Sequence, residues 1–210
     1  MIKFLQSLKW SCLTMAKKKY HFFAMLSRMK YINRWALMRN TQTENISEHS
    51  HEVATIAHAL AVIHNTRFGG NVNADRAAVL GVFHDAPEII TGDMPTPIKY
   101  YSSQIKEAYD QVEDDACNAL LDMLPADLRA EYAPYFIKQE ADRQLWKFVK
   151  AADKICAYTK CLEEAKAGNR DFDKAAKTNL KGLQEIDMPE VKAFMDDFLA
   201  SYNLTLDEMN

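Results

Sequence analysis

Glycine and proline are scarce, six of each in 210 residues. Long segments are instead rich in Ala, Leu, Lys and Glu, and no stretch alternates with period two. Both facts point away from strands and toward helices. Basic excess is also missing. The net charge is −3, so nothing in the bulk charge would hold a nucleic-acid polymer by its backbone. A phosphate-bearing ligand would need a local site. The four cysteines, Cys12, Cys117, Cys156 and Cys161, include no C-x-x-C pair. That argues against a cysteine zinc site or a redox motif and for reduced thiols in a cytoplasmic protein. No apolar run is long enough to span a membrane. Met1 to Met15 faintly imitates a signal peptide, but Gln6 and Lys9 interrupt it and no small-residue cleavage site follows. Met15 stands just before Ala16-Lys17-Lys18-Lys19. Met1 to Thr14 therefore reads as an optional or mis-started extension or a peripheral helix, and residues 1–18 are assigned no function.

What remains is an ordinary globular balance, 48% hydrophobic and 26% charged, long enough for one sizeable core. Phe22, Phe23, Leu26, Met29 and Ile32 predict a helix over Tyr20–Ile32. Asn33 to Ile46 loses that period and reads as an irregular loop carrying Arg34 and Arg39. Ser47 is expected to cap a helix running to about Asn65, with Glu48 in its first turn. Asn73 is expected to cap the next, which runs into Phe83 and His84. Thr91–Pro97 reads as a tight loop. A long amphipathic helix follows from Ile98 until Pro125 stops it, then a short one over Ala126–Tyr132. Another long helix spans about Glu140 to Ala167, ended by Gly168-Asn169. The tail to Tyr202 gives one or two helices broken near Pro189. The expected architecture is one all-α domain.

Within it, the apolar run Val82-Phe83 delivers His84 and Asp85 side by side, with Glu88 three residues on. Charge in apolar sequence is costly unless paired or bound to a metal. Helix phasing at ~100° per residue supplies partners. His49 falls on the stripe of Val53, Ile56, Leu60 and Ile63. His51 and His58 fall on the opposite face, and His64 at the edge of the stripe. Asp153 shares a face with Val149, Cys156 and Ala157. His49, His84, Asp85 and Asp153 together offer two imidazoles and two carboxylates from three helices. That donor set suits a divalent ion such as Mn, Fe, Co or Zn better than Ca or Mg.

The pattern H…HD…D, here His49, His84-Asp85 and Asp153, resembles the HD-domain phosphohydrolases. The strings His21-Phe22-Phe23-Ala24, Ile32-Asn33-Arg34-Trp35, Thr43-Glu44-Asn45, Ser47-Glu48-His49-Ser50, Thr91-Gly92-Asp93, Pro95-Thr96-Pro97 and Cys156-Ala157-Tyr158 resemble the 5′-deoxynucleotidases of the YfbR type. The likeness runs from about Lys19 to the C-terminus, giving an HD-domain helical bundle over 19–210. It implies hydrolysis of 2′-deoxyribonucleoside 5′-monophosphates by a metal-bound water, in a homodimer. It further implies Glu88 and Asp93 as acid–base residues near the phosphate, without saying which is acid and which is base. Arg34 would contact the phosphate, and Trp35 would lie against the deoxyribose, where an indole would exclude a 2′-hydroxyl. Pro87 departs from the pattern, which has a small polar residue there, and so bears on the placing of Glu88. No histidine follows His84, whereas two-metal HD enzymes generally recruit further imidazoles downstream. One divalent ion per chain, Co, Mn, Zn or similar, is therefore expected. Two alternatives stand beside this reading. One is an HD phosphohydrolase acting on a triphosphate or cyclic nucleotide; the obvious cations, Arg34, Arg39 and Lys99, are few for a triphosphate. The other is a non-catalytic helical module that senses nucleotides.

Overall fold

The computed structural model describes residues 19–210. The assignment made for residues 1–18, and Cys12 with it, lies outside the described residues. Among the described residues, ten α-helices are joined by short connections, and the only strand-like pairing is a single antiparallel bridge between Asn33 and Asn45. The all-α expectation is met. No helix among the described residues is long and apolar enough to cross a membrane.

The Tyr20–Ile32 segment forms a short helix, α1 (Phe22–Leu26), followed by 3₁₀ turns over Ser27–Tyr31. Helix α2 (Ile46–Arg67) is capped by Asn45 rather than Ser47. Asn45 is extended, and its Oδ1 accepts from the backbone N–H of Ser47 and Glu48, each at 3.0 Å. Glu48 answers by accepting from the Asn45 N–H at 3.1 Å, a reciprocal capping box. Asn caps as well as Ser does, so moving the start by two residues leaves the phase of His49 unchanged. Asn73 caps α3 (Ala74–Phe83) as expected, accepting from Arg76 N–H at 2.9 Å.

Two short helices, α4 (Glu88–Thr91) and α5 (Thr96–Lys99), occupy the stretch expected to be a loop and the start of a long helix. The long helix α6 (Ser103–Leu121) begins only after Ser102, whose hydroxyl accepts from Ile105 N–H. Ile98 and Tyr101 therefore lie outside it and are exposed. Then come α7 (Ala126–Phe136), α8 (Arg143–Lys166), α9 (Asp173–Gln184) and α10 (Pro189–Phe198). Pro189 opens α10 at its first turn, where the missing N–H costs nothing. Gly168, at φ +80°, terminates α8.

The main core packs α2, α3 and α8 through Val53, Ile56, Leu60, Leu80, Phe148, Ala152 and Ile155. A second core joins α1, α6 and α7 through Phe22, Leu120, Leu121 and Phe136. Helices α2 and α3 approach so closely that a Cβ on Gly81 would sit 2.7 Å from the Ala54 Cα. Arg76 forks onto the buried Asp142 at 2.5 and 2.6 Å, tying the start of α3 to the start of α8. These contacts set α2, α3 and α8 against one another; α2 and α8 carry His49 and Asp153, and the turn that closes α3 carries His84 and Asp85.

Candidate metal centre

His49 is fully buried on α2, while His51 is exposed and His58 is only partly covered, as phasing required. His64 is turned elsewhere and pairs with Glu190 of α10. His84 ends α3, and its Nδ1 lies 2.7 Å from the Gly81 carbonyl oxygen. A carbonyl only accepts, so this nitrogen carries the proton. The Nε2 atom then presents a lone pair to Asp85 Oδ2, 3.1 Å away. His49 Nε2 lies 3.1 Å from Asp153 Oδ1 and 3.5 Å from Asp85 Oδ2. The Nε2 atoms of His49 and His84 are buried without hydrogen-bond partners. A nitrogen lone pair facing an ionised carboxylate oxygen repels it unless a proton or a metal ion stands between them. Ligand atoms of His49, His84 and Asp85 all fall within 4.8 Å of one another, the separation that bonds of ~2 Å to a common ion require. The residues present therefore fit a divalent metal. Asp153 adds its carboxylate from α8, with 47% of its side chain exposed, and marks the open side of the cluster.

Arg34 enters this cluster from the loop before α2. Its guanidinium is 3.4 Å from Asp85 and 3.9 Å from Asp153. Burial opposes its charge, but Asp153, Glu44 and Asp85 outweigh that and raise its pKa. Burial raises the Asp85 carboxyl less than His84, His49 and Arg34 lower it, so it is held ionised. Asp153 is lowered in the same way, chiefly by His49. Burial and Arg34 push His49 down, yet Asp153 and Glu44 bring it up to about 9. With nothing bound, His49 thus carries a proton that a metal would displace.

Glu88 is 9% exposed at the start of α4, with one carboxyl oxygen unpartnered. Burial first, then the Asp85 and Asp93 charges, push its pKa up to about 10, so it is a neutral acid at pH 7. Pro87 is buried at φ −58°, and Glu88 N–H donates to the Asp85 carbonyl at 3.0 Å. Asp93 is raised by burial and by Asp85, against the pull of Arg34. Its Oδ2 accepts the backbone N–H of Trp35 at 3.3 Å. Trp35 has φ +59°, unusual for a bulky residue, and its ring packs against Phe172 with centroids 5.2 Å apart. Arg34, His49, His84, Asp85 and Asp153 thus lie together, with Glu88 and Asp93 within reach of the Asp85 charge and Trp35 joined to Asp93 through its backbone. Of the other two cations noted in the sequence, Arg39 pairs with Asp171 at the surface, while Lys99 pairs with Glu113 and its charge still reaches Glu88, partly opposing the rise of that carboxyl.

Two further carboxylates belong to the surroundings of the site and were not singled out from sequence. Glu44 Oε2 accepts Trp35 Nε1–H at 2.8 Å, and its Oε1 lies 3.3 Å from His49 Nδ1. Its burial is outweighed by His49 and Arg34, which keep it ionised. The signal available was the string Thr43-Glu44-Asn45 immediately before the cap. Glu164 of α8 is 1% exposed and receives Thr41 N–H at 2.9 Å, Thr41 Oγ1–H at 2.7 Å, Asn169 Nδ2 at 2.7 Å and Lys160 Nζ at 2.6 Å. Lys160 and Glu164 are spaced i,i+4, which in sequence looks like any helix-surface pair. In the fold they pin the Arg34 loop to α8.

Solved structures share this helical architecture. An HD-domain phosphohydrolase from Listeria innocua superposes with a TM-score of 0.75 at 24% identity, covering 87% of this chain and 88% of that one. The cyanophage S-2L HD phosphohydrolase DatZ, bound to dA and one catalytic Zn²⁺ ion, superposes at 0.59 with 20% identity, covering 87% and 96%. At those identities the likeness defines the fold, an HD-domain bundle. Residues 21–202 match the family described as 5′-deoxynucleotidase YfbR-like, and the chain belongs to that family. A 5′-deoxynucleotidase of Photobacterium profundum is 51% identical over 193 residues, 92% of this chain and all of that protein. The Escherichia coli 5′-deoxynucleotidase YfbR is 51% identical over 194 residues, 92% of this chain and 97% of its own length.

Proposed function

We infer that the chain hydrolyses 2′-deoxyribonucleoside 5′-monophosphates to deoxynucleoside and phosphate, with one divalent ion held by His49, His84, Asp85 and Asp153. The observation that carries the reading is the set of unsatisfied imidazole nitrogens among ionised carboxylates, with a single buried arginine beside them. The relatives named 5′-deoxynucleotidases, matched along nearly their whole length, supply the substrate class. A divalent ion bound there lowers the pKa of water and draws a phosphoryl oxygen toward positive charge. The zinc in DatZ supports a borderline transition metal; Mn, Co and Zn all suit the donor set.

The chain's own residues do the rest. Arg34 leaves its carboxylates in part to receive the phosphate oxygens, for which its fork of donors is shaped. Water attacks phosphorus as the bond to O5′ breaks. Glu88, neutral in its buried setting, gives its proton to the departing O5′, and Asp93 takes the proton from the attacking water. The indole of Trp35 lies against the sugar and excludes a 2′-hydroxyl. The lone arginine favours a monophosphate over a triphosphate. Reduced, buried Cys117, Cys156 and Cys161 support a cytoplasmic setting. Exposed Ile98, Tyr100, Tyr101 and Ile105, from α5 to the start of α6, offer the apolar face a homodimer would cover.

The test is a phosphate-release screen of deoxy- and ribonucleoside monophosphates with Mn²⁺, Co²⁺ and Zn²⁺, with His84→Ala and Asp85→Ala as controls. Metal-dependent release from the deoxy series, lost in both controls, is expected. Equal turnover of deoxyadenosine triphosphate, or tight nucleotide binding without turnover, would overturn the reading.

A further inference from the structure

We propose that Glu44 is a positioning residue that joins the two halves of the site, setting the metal ligand His49 and the sugar-facing Trp35 through one carboxylate. The proposal rests on the function inferred above.

Glu44 stands where the loop closes on itself. The Asn33–Asn45 bridge brings its ends together, and Arg34 N–H donates to the Glu44 carbonyl at 2.9 Å. This places the Glu44 side chain between three groups of the site. Its Oε2 accepts from Trp35 Nε1–H at 2.8 Å and lies 3.7 Å from Arg34 Nε. Its Oε1 lies 3.3 Å from His49 Nδ1. An imidazole that ligates through Nε2 keeps its proton on Nδ1, and the acceptor of that proton fixes the ring. His84 uses the Gly81 carbonyl for this purpose. His49 lies inside α2, where the backbone carbonyls are engaged in helix bonds, so the loop must send in a side chain. Glu44 is that side chain.

The same carboxylate constrains Trp35. A tryptophan at φ +59° persists only where its surroundings over-determine it. Here the restraints are Glu44 on the indole N–H, Asp93 on the backbone N–H and Phe172 against the ring. Of these three, Glu44 alone also reaches a metal ligand. Neutralising it with Gln keeps the size but leaves one acceptor oxygen for the His49, Trp35 and Arg34 donors. Both halves should then loosen together.

The experiment uses the full chain with Trp10 and Trp146 replaced by Phe, so that emission reports Trp35. Mn²⁺ affinity is read by competition with a chromophoric chelator, without substrate. In the parent, Mn²⁺ should shift Trp35 emission. Glu44→Gln should weaken Mn²⁺ affinity by about 10–100-fold and abolish most of the emission shift even at saturating Mn²⁺. Where turnover is measured, its deoxy-over-ribo preference should fall as well. Glu44→Asp, which keeps the charge on a shorter arm, should retain more affinity than Glu44→Gln and serves should the latter not fold. Trp35→Phe should leave Mn²⁺ affinity unchanged, since only the indole arm is lost. Unaltered affinity in Glu44→Gln, or weakened affinity with an intact emission shift, would overturn the proposal. Failure of the inferred activity would appear separately, as parent protein that binds Mn²⁺ and releases no phosphate.

Discussion

The two halves of the site are built in different ways. His49, His84 and Asp153 stand on α2, α3 and α8, helices packed around one apolar core. Arg34, Trp35 and Glu44 stand on an irregular loop that keeps its shape through a lone β-bridge, a positive φ and buried carboxylates. The helical half is rigid because moving one ligand means repacking a core. The loop half is rigid only while its polar contacts hold. Charge and packing therefore carry different weight in each half, and substitutions should separate them.

The largest effect should come from the helical half. Asp85→Ala or His84→Ala removes a ligand and should cut turnover by at least ~10³-fold while abolishing Mn²⁺ binding. Phosphate release and chelator competition together check this. Turnover that survives loss of binding would break the comparison at its root.

Glu88 lies between the halves. Glu88→Gln should cost about 10²–10⁴-fold in turnover, as for a general acid. A second readout is the stability of the metal-free protein. The Glu88 pKa is raised from 4.5 to about 10 and that of His49 from 6.5 to about 9. In each case the folded state binds a proton that the unfolded state releases. Stability should therefore fall as pH rises, from about 4.5 for Glu88 and from about 6.5 for His49. Thermal melts should show the fall between pH 5 and 6.5 flattened in Glu88→Gln, with the fall above pH 7 retained. An unchanged slope below pH 6.5 would show that Glu88 is not held neutral.

Trp35→Ala tests the loop half alone. It should narrow the deoxy-over-ribo ratio in kcat/KM by about 10-fold, the scale of a lost steric contact, with Mn²⁺ affinity kept. An undiminished ratio would take the sugar wall away from Trp35. The smallest effect on chemistry should come from Gly81→Ala, which forces α2 and α3 apart at Ala54. It should destabilise by about 1–3 kcal/mol, read as a lower Tm, and weaken metal binding only as far as the helices shift.

The same division decides what could be read from the chain itself. Helix periodicity placed His49 inward and His51 outward, and it found Asp153 beside Val149 and Cys156, because an α-helix repeats its geometry whatever surrounds it. The start of α2 was misplaced at Ser47 only because Asn45 caps as well. The start of α6 was misplaced because Ile98 and Tyr101 keep an apolar period on residues that Ser102 cuts off from the helix. The loop gave no such handle. The roles of Arg34 and Trp35 came from resemblance to known enzymes, and Glu44 and Glu164 were passed over. A buried glutamate that receives five donors looks, in sequence, like one that faces water.

The central claim is that four side chains, from α2, α8 and the turn after α3, hold one catalytic divalent ion. Titrating Mn²⁺ into metal-stripped protein while following phosphate release from deoxyadenosine monophosphate tests it most directly. Activity should rise to a plateau at one equivalent per chain, and the titration should collapse in Asp153→Ala. A plateau at two equivalents, or an unchanged titration in Asp153→Ala, would contradict it.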